Sequence, residues 1–452
     1  VRFAESRVEE PALTAVRGGR RVALQPSADF VMLGGFAAGK LEVDVPVVFV
    51  GRGIRAPELG VDDYAGLDVR GKVVLMFGGA PASFPNDQRA HYSSRRLKAE
   101  VAERAGAIGI LTMYDAIDEK RVPWKRVASH ADRPRTAWLH PDGALADGFP
   151  GIAFAATLSR AGATKLLEGS GTPFDALQKA AGDGSYERRP LPIRVKAGGR
   201  IAIRNVESLN VAAILRGSDP KLADEYVVVS AHLDHVGVGT PEAGDAIYNG
   251  FFDNALGSAM ALETARALAA PAAKPRRSIL FLLVTGEERG LLGSDYFSHY
   301  PTVPPGAIVA DVNVDMPLLF GPLQSLVAFG AEHSSLGPLT AAAAAARGLG
   351  LVADPMPEEV IFVRSDQYSF VRQGVPSIFL NPGPGGPDAQ AKVMDFLKDH
   401  YHRPSDQADL PLDWDAAADF TAIQVDIVRR IADAEARPTW NSGDFFAASG
   451  SR

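Results

Sequence analysis

In the second half of the chain, apolar runs alternate with helical segments, and this alternation constrains the fold more than any other feature. The clearest run is SILFLLVT at residues 278–285. A continuous apolar run bounded by charge and glycine indicates a strand that is covered on both faces. Such strands, when they alternate with helices, form sheets with helices on both sides. We therefore predict an α/β fold with a doubly wound mixed sheet.

Near residue 195 the predicted elements change from short strands with turns to longer strands that alternate with helices. This change predicts a division into domains. Residues 28–195 contain short β-branched runs and polar turns, as at 45–50 and 72–77, which indicates a smaller β-rich domain. The predicted boundaries are a leading segment 1–27, the β-rich domain 28–195, the α/β domain 196–437 and a C-terminal tail 438–452. In the α/β domain we predict strands at 225–230, 278–285, 309–315 and 377–380, helices at 254–270, 290–300, 336–347 and 414–436, and a loop at 401–411.

Composition excludes several classes of protein and of site. The net charge of −7 argues against a nucleic-acid-binding surface. The chain has no cysteine, which removes disulfides, thiolate zinc sites and thiol nucleophiles. Any metal site must therefore use histidine, aspartate and glutamate, which suit hydrolytic zinc, manganese or magnesium chemistry. No apolar run approaches the roughly 18 residues of a membrane span.

Metal-competent side chains follow the predicted strands. His232 comes after the strand at 225–230, Glu287 and Glu288 come after the strand at 278–285, and Asp315 ends the strand at 309–315. Asp253 precedes the helix that starts near residue 254. Because functional sites of open α/β sheets form at the carboxyl ends of strands, these side chains are expected to converge at one edge.

The spacing of these residues has chemical meaning. The acid at Asp234 can accept the second ring N–H of His232 and so orient it. Of the neighbours Glu287 and Glu288, one can bind metal while the other acts as a general base. Asp253 could bridge two cations about 3.5–4 Å apart.

Asp311 lies on the same strand face as Asp315 by the period of two. Asp315 is preferred as the ligand because it is nearer the carboxyl end of the strand.

Together these segments resemble a known family, peptidase family M28 of zinc peptidases. The similar segments lie within about residues 196–437 and are HLDHVG at 232–237, YNGFFDNALG at 248–257, TGEERGLLGS at 285–294, NVDM at 313–316 and YHRPSD at 401–406. The family includes bacterial aminopeptidases and glutamate carboxypeptidases, and its fold is of the zinc-exopeptidase type. Residues 49–57 and 62–74 resemble the protease-associated (PA) domain, so the β-rich domain is expected to be PA-like.

The resemblance divides the ligands between two zinc ions. It implies that one zinc is bound by His232, Asp253 and Asp315, and that the second is bound by Asp253, Glu288 and His402. Asp253 would then bridge the two. His235 and His400, which lie next to the proposed ligands, are alternatives to His232 and His402.

The resemblance also implies roles for residues around the metals. Glu287 would deprotonate the bridging water and pass the proton to the leaving amine, while Asp234 would orient His232. Tyr401 is a candidate hydrogen-bond donor to the tetrahedral oxyanion, against the alternative that it only packs. Substrate-pocket roles are expected for four further residues, Arg364, Asp366, Phe251 and Phe252, the last two of which stand where many relatives have Ala-Asp.

These implications predict a metal-dependent exopeptidase, most simply an aminopeptidase, acting on peptides with a free terminus. The alternatives are a carboxypeptidase or dipeptidase of the glutamate carboxypeptidase type, a non-catalytic binding module, and a glutaminyl-cyclase-like transferase with one zinc. The chain starts at Val1 without a signal-peptide pattern. We interpret it as a mature or trimmed product of an exported bacterial protein, periplasmic or secreted. The oligomeric state and the role of the PA-like domain stay open.

Overall fold

A boundary before Ser208 divides the chain into two units, Arg2–Glu207 and Ser208–Arg452 with Val1. The computed structural model describes residues 1–146, 148–270 and 274–447. The first unit includes the predicted leading segment 1–27 and extends beyond the predicted boundary at residue 195. The reason is that Arg2–Arg17 and Arg189–Glu207 pair antiparallel along most of their length, so both ends of this unit belong to one sheet.

The first unit is built on a nine-stranded sheet with the order β2-β1-β11-β4-β7-β8-β10-β3, in which β9 also pairs with β1. Its strands are β1 (Arg2–Arg17), β2 (Arg20–Leu24), β3 (Phe30–Gly34), β4 (Gly39–Phe49), β5 (Arg55–Ala56), β6 (Val61–Asp62), β7 (Val73–Phe77), β8 (Gly109–Met113), β9 (Arg135–Trp138), β10 (Phe154–Leu158) and β11 (Arg189–Glu207). Its helices are α1 (Asn86–Ser93), α2 (Arg95–Arg104), α3 (Ala116–Arg121), α4 (Trp124–Ser129), α5 (Arg160–Leu167) and α6 (Phe174–Asp183). The β-rich character agrees with the sequence pattern, and the PA likeness of this unit stays a prediction.

The second unit contains a seven-stranded mixed sheet with the order β12-β16-β13-β17-β20-β18-β19. Its strands are β12 (Val211–Leu215), β13 (Tyr226–His232), β14 (Gly237–Glu242), β15 (Asp245–Tyr248), β16 (Ser278–Val284), β17 (Ile308–Val314), β18 (Ser325–Phe329), β19 (Gly350–Leu351) and β20 (Ser377–Pro382). Its helices are α7 (Leu256–Leu268), α8 (Leu292–His299), α9 (Leu336–Ala345), α10 (Gln367–Arg372), α11 (Pro387–Asp399) and α12 (Trp414–Asp433). The central strands β16, β13, β17 and β20 run parallel, so their carboxyl ends meet at one edge.

Helices cover both faces of this sheet. Val227 and Val229 of β13 belong to a core that includes Phe420 of α12. Tyr226 and Val228 of the same strand belong to a second core, with residues of α8 and α10. Successive side chains of a strand point to opposite faces, so the alternation confirms the predicted doubly wound mixed sheet.

Two segments of the second unit differ from the sequence predictions. Helix α11 was not predicted, since its polar sequence PDAQAKVMDFLKD leaves only Phe396 buried. The predicted tail 438–452 packs on the unit as far as it is described, because the side chain of Phe446 is fully buried against Phe362 and Trp440. Residues 448–452 of that tail lie outside the described residues. No helix in the described ranges combines the length and apolar composition that a membrane crossing needs.

The packing of α12 predicts the effect of a core truncation. Phe420 is 1% exposed, so Phe420→Ala should lower the free energy of unfolding of the second unit by about 3–5 kcal/mol. Urea unfolding followed by circular dichroism measures the loss. Leu262→Ala, at a side chain that is 60% exposed, is the control and should change stability by under about 0.5 kcal/mol. Equal effects of the two substitutions would contradict the packing described here.

Candidate active site

The first group of predicted ligands converges at the carboxyl edge of the sheet. His232 is the last residue of β13, Asp253 lies in the turn before α7, and Asp315 follows β17. The Nε2 atom of His232 lies 3.2 Å from Oδ1 of Asp253 and 3.1 Å from Oδ1 of Asp315. All three residues are buried, so one nitrogen and two carboxylate oxygens face a common point.

A second group shares Asp253. The Nε2 atom of His402 lies 3.1 Å from Oδ2 of Asp253 and 3.1 Å from Oε2 of Glu288. The two oxygens of Asp253 therefore face different histidines. The loop that carries His402 holds it at φ 56°, a left-handed conformation that costs about 1–3 kcal/mol and persists only where the surroundings impose it.

Hydrogen bonds from neighbouring segments fix the shared carboxylate. The carboxylate of Asp406 accepts the backbone N–H of Phe252 at 2.9 Å and that of Asp253 at 3.1 Å. The side chain of Asn254 donates to the carbonyl of Val314 at 3.0 Å, which ties the turn to the end of β17. The turn that carries Asp253 is thus held by Asp406 on one side and, through Asn254, by the end of β17 on the other. The peptide bond between Asp253 and Asn254 is cis.

The predicted contact between Asp234 and His232 is present but uses a different acceptor. Nδ1 of His232 lies 2.9 Å from the backbone carbonyl of Asp234, whereas the carboxylate is 3.9 Å away, which is too long for a hydrogen bond. The expectation that the carboxylate accepts this proton is wrong. The carboxylate instead accepts the N–H groups of Glu287 at 3.2 Å and Glu288 at 3.4 Å, because these amides begin the turn after β16.

A buried polar chain under Asp315 separates it from its rival Asp311. Oγ of Ser365 donates to Oδ2 of Asp315 at 2.7 Å and accepts from Nδ2 of Asn313 at 2.7 Å. Asp311 lies deeper, accepts from Oγ of Ser230 at 2.8 Å and is fully buried. Burial raises the pKa of the Asp311 carboxyl well above its usual value, which disfavours its charged form. The sequence analysis did not identify Ser365, because no motif or spacing in the sequence marks it.

Glu287 and Tyr401 lie at the same edge. Burial, followed by the charges of Asp315 and Glu288, raises the pKa of Glu287 well above its usual value. The ring of Tyr401 lies 3.9 Å from that of His402, and its hydroxyl accepts a hydrogen bond from Nη2 of Arg364 at 3.4 Å. Burial also raises the pKa of Tyr401, so its phenol keeps the proton that a donor needs.

Two predicted substrate-binding residues are fully buried in the structure. Phe252 is fully buried, and its ring packs on Phe320 and Phe396 with centroids 5.0 and 5.2 Å away, so it is a core residue. Asp366 is fully buried as well, and its burial raises the pKa of the carboxyl to about 7. Neither side chain is open to solvent. Phe251, which is half-buried, and Arg364, which is exposed, stay predictions.

The two alternative histidines lie in different places. Nδ1 of His400 lies 3.0 Å from Oγ of Ser405, and His400 belongs to neither group of ligand atoms. His235, in contrast, groups with Asp253 and Glu288. Its Nδ1 lies 2.8 Å from Oε1 of Glu288.

These residues fit a metal centre. Both ring nitrogens of His235 and Oε1 of Glu288 are buried without a hydrogen bond of good geometry to any described residue. Burial raises the pKa of Glu288, but His235 and His402 outweigh it and lower that pKa to about 2. Carboxylates therefore face imidazole nitrogens across short gaps, and imidazole with carboxylate is a donor set that zinc accepts.

The sequence profile of peptidase family M28 matches residues 210–428. This part of the chain is a peptidase family M28 domain. The match contains every predicted metal ligand together with Glu287. The protein is accordingly a metallopeptidase.

Several solved structures are similar to this chain. The aminopeptidase from Aneurinibacillus sp. strain AM-1 is 18% identical with a TM-score of 0.52, over 97% of this chain and 84% of that chain. A peptidase M28 precursor from Shewanella amazonensis SB2B is 17% identical (TM-score 0.43, 97% and 84%). The zinc aminopeptidase BSAP from Bacillus subtilis is 16% identical (TM-score 0.40, 96% and 85%). The first of these likenesses shows a shared fold.

The two amide contacts of Asp406 predict how the shared acid depends on it. Asp406→Asn leaves one acceptor oxygen and turns an NH₂ group toward a backbone N–H. We expect metal affinity to fall about 10–100-fold, as for other groups that hold a ligand in place. Elemental analysis after dialysis against a limiting chelator measures it. Asp409→Asn, at an exposed position of the same loop, is the control, and equal metal retention in the two variants would refute the role of Asp406.

Proposed function

We propose that this metallopeptidase is a zinc-dependent exopeptidase, and specifically an aminopeptidase, that uses two zinc ions with Asp253 shared between them. The observation that carries the proposal is the position of the Asp253 carboxylate. Its Oδ1 atom lies 3.2 Å from Nε2 of His232, and its Oδ2 atom lies 3.1 Å from Nε2 of His402. A carboxylate in this position suits a bridging ligand of a two-metal hydrolase.

The remaining ligands divide around this shared acid. Asp315 lies beside His232, and Glu288 lies beside His402. Each set offers one imidazole nitrogen and two carboxylate oxygens, as in catalytic zinc sites that keep a position for water or substrate. Zinc bound there supplies a Lewis acid that polarises the scissile carbonyl and lowers the pKa of a water molecule.

The two adjacent glutamates take different roles because their surroundings differ. The oxygens of Glu288 face His235 at 2.8 Å and His402 at 3.1 Å, so both point to the ligand group. Glu287 belongs to neither ligand group and is therefore the residue that takes the proton of the attacking water. It then delivers the proton to the leaving amine, as a general base and acid within reach of both groups can do.

Tyr401 and Arg364 act on the other side of the reacting carbonyl. The protonated phenol of Tyr401 can donate to the developing oxyanion, a type of contact that is worth about 10²–10³ in kcat. Arg364 lies 3.4 Å from the phenol oxygen and orients it.

The likeness to the aminopeptidase from Aneurinibacillus sp. strain AM-1 favours a substrate with a free amino terminus. One observation favours the second candidate, a carboxypeptidase or dipeptidase. The guanidinium of Arg364 is exposed next to Tyr401 and could pair with a substrate carboxylate.

Replacement of the proposed general base tests the mechanism. Glu287→Gln should keep the metal content of the wild type and lose about 100-fold or more in kcat, in line with general-base catalysis. The measurement combines steady-state kinetics with elemental analysis. Glu263→Gln, an exposed glutamate of α7, should retain wild-type values in both. A kcat of Glu287→Gln within a few-fold of the wild-type value would contradict the assignment of Glu287 as the general base.

Paired substrates decide the polarity of cleavage. We expect hydrolysis of leucine p-nitroanilide, which has a free amine, and no measurable hydrolysis of an N-acetylated dipeptide with a free carboxylate. Arg364→Gln should then leave KM for the anilide nearly unchanged. Preferential cleavage of the blocked dipeptide, with a KM that rises at least about tenfold in Arg364→Gln, would establish the carboxypeptidase alternative. A tenfold rise in KM corresponds to the loss of about 1.4 kcal/mol of binding free energy.

A further inference from the structure

His235 is the buried histidine at the site that the two sets of three ligands leave without a role. Its side chain is 6% exposed. We propose that His235 is a fourth protein ligand of the second zinc, beside Asp253, Glu288 and His402. This inference rests on the two-zinc function proposed above and adds a donor to one of its positions.

One nitrogen of His235 and one oxygen each of Asp253 and Glu288 lie within 4.8 Å of one another. Ligands of a tetrahedral zinc with bonds of about 2.0–2.1 Å lie about 3.3 Å from one another. Nδ1 of His235 lies 2.8 Å from Oε1 of Glu288 and 3.8 Å from Oδ2 of Asp253, which brackets that spacing. Nε2 of His402 lies 3.1 Å from the same two carboxylates. Both histidines thus approach Glu288 and Asp253.

The ring nitrogens of His235 lack any other partner. Neither makes a hydrogen bond of good geometry within the described residues, and neither does Oε1 of Glu288. A buried polar atom without a partner costs about 1–3 kcal/mol. Nδ1 faces the carboxylate at 2.8 Å without the alignment of a donated N–H. A cation that both atoms bind would satisfy the nitrogen and the oxygen together.

The backbone next to Asp253 leaves space for this ring. Gly250 has φ 69°, and a Cβ atom there would lie 2.5 Å from Cγ of His235 and 2.4 Å from the carbonyl oxygen of Asp253. Only glycine fits both the left-handed backbone and this space. The ring of His402 meets that of His235 edge to face, with centroids 5.5 Å apart. The position of His235 is therefore built by the same turn that presents the shared acid.

A fourth ligand would make the two metal positions unequal. The second zinc would have four protein ligands, whereas the first would have three. The position at His235 would then bind zinc more tightly than the position at His232, Asp253 and Asp315. This division predicts two zinc affinities that His235 affects unequally.

The first experiment counts histidine ligands in the wild-type protein. Selective ¹⁵N labelling of histidine allows each ring to be followed by NMR while zinc is added. At two zinc ions per chain, we expect three rings with a metal-bound nitrogen, those of His232, His402 and His235. Two such rings would overturn the proposal, and this result does not depend on the folding of any variant.

The second experiment measures each zinc affinity by chelator competition in His235→Gln. We expect one affinity to fall by more than about 100-fold, beyond the 10–100-fold that follows loss of a group that only holds a ligand in place. The other affinity should stay within a few-fold of wild type. His400→Gln is the matched control, since His400 lies beside the same loop and contacts Ser405, and both of its affinities should match wild type. A smaller decrease, or none, in His235→Gln would overturn the role of a ligand.

The outcomes separate this inference from the function it rests on. A wild-type protein that binds two zinc ions and cleaves leucine p-nitroanilide, but shows only two metal-bound rings, keeps the proposed function and loses the role of His235. A wild-type protein that binds a single zinc ion overturns both.

Discussion

The carboxylate of Asp253 is the interaction around which this edge of the sheet is organised. It is 3% exposed and lies between His232 and His402, each with its nitrogen near a different oxygen. A buried carboxylate is unfavourable unless charge and hydrogen bonds compensate it. Here each oxygen faces an imidazole nitrogen, and bound metal would supply the compensating charge.

The supporting contacts come from separate segments of the chain. Asp406 accepts the amides at Phe252 and Asp253, and Asn254 ties the same turn to the end of β17. Asp234 does the same for the turn after β16 by accepting the amides of Glu287 and Glu288. Since the parallel strands fix where each turn begins, side chains from distant positions are held at distances close to those that a metal requires. A site mounted on rigid strands in this way keeps its geometry better than one on loops alone.

Neighbouring acids of the same type acquire different properties from their surroundings. Each oxygen of Glu288 faces a histidine, whereas Glu287 next to it belongs to neither ligand group. Asp315 follows β17 at the edge of the sheet and accepts a hydrogen bond from Ser365, whereas Asp311 lies within β17, is fully buried and accepts one from Ser230. Burial and the nearest partners, more than the residue type, separate ligand, base and supporting group.

The sequence by itself determined the doubly wound sheet and the residues at its carboxyl edge, because apolar runs and the acids that follow them are local patterns. Similarity of short segments to a known family added His402, which no periodicity marks. Only the tertiary structure decided that Phe252 and Asp366 are buried, that the backbone carbonyl of Asp234 contacts His232, and that His235 belongs to the edge while His400 does not. It also joined residues 1–27 to β11 in one sheet. These outcomes depend on which side chains distant segments bring together, and contacts between residues far apart in the chain leave no periodic signal in a single sequence.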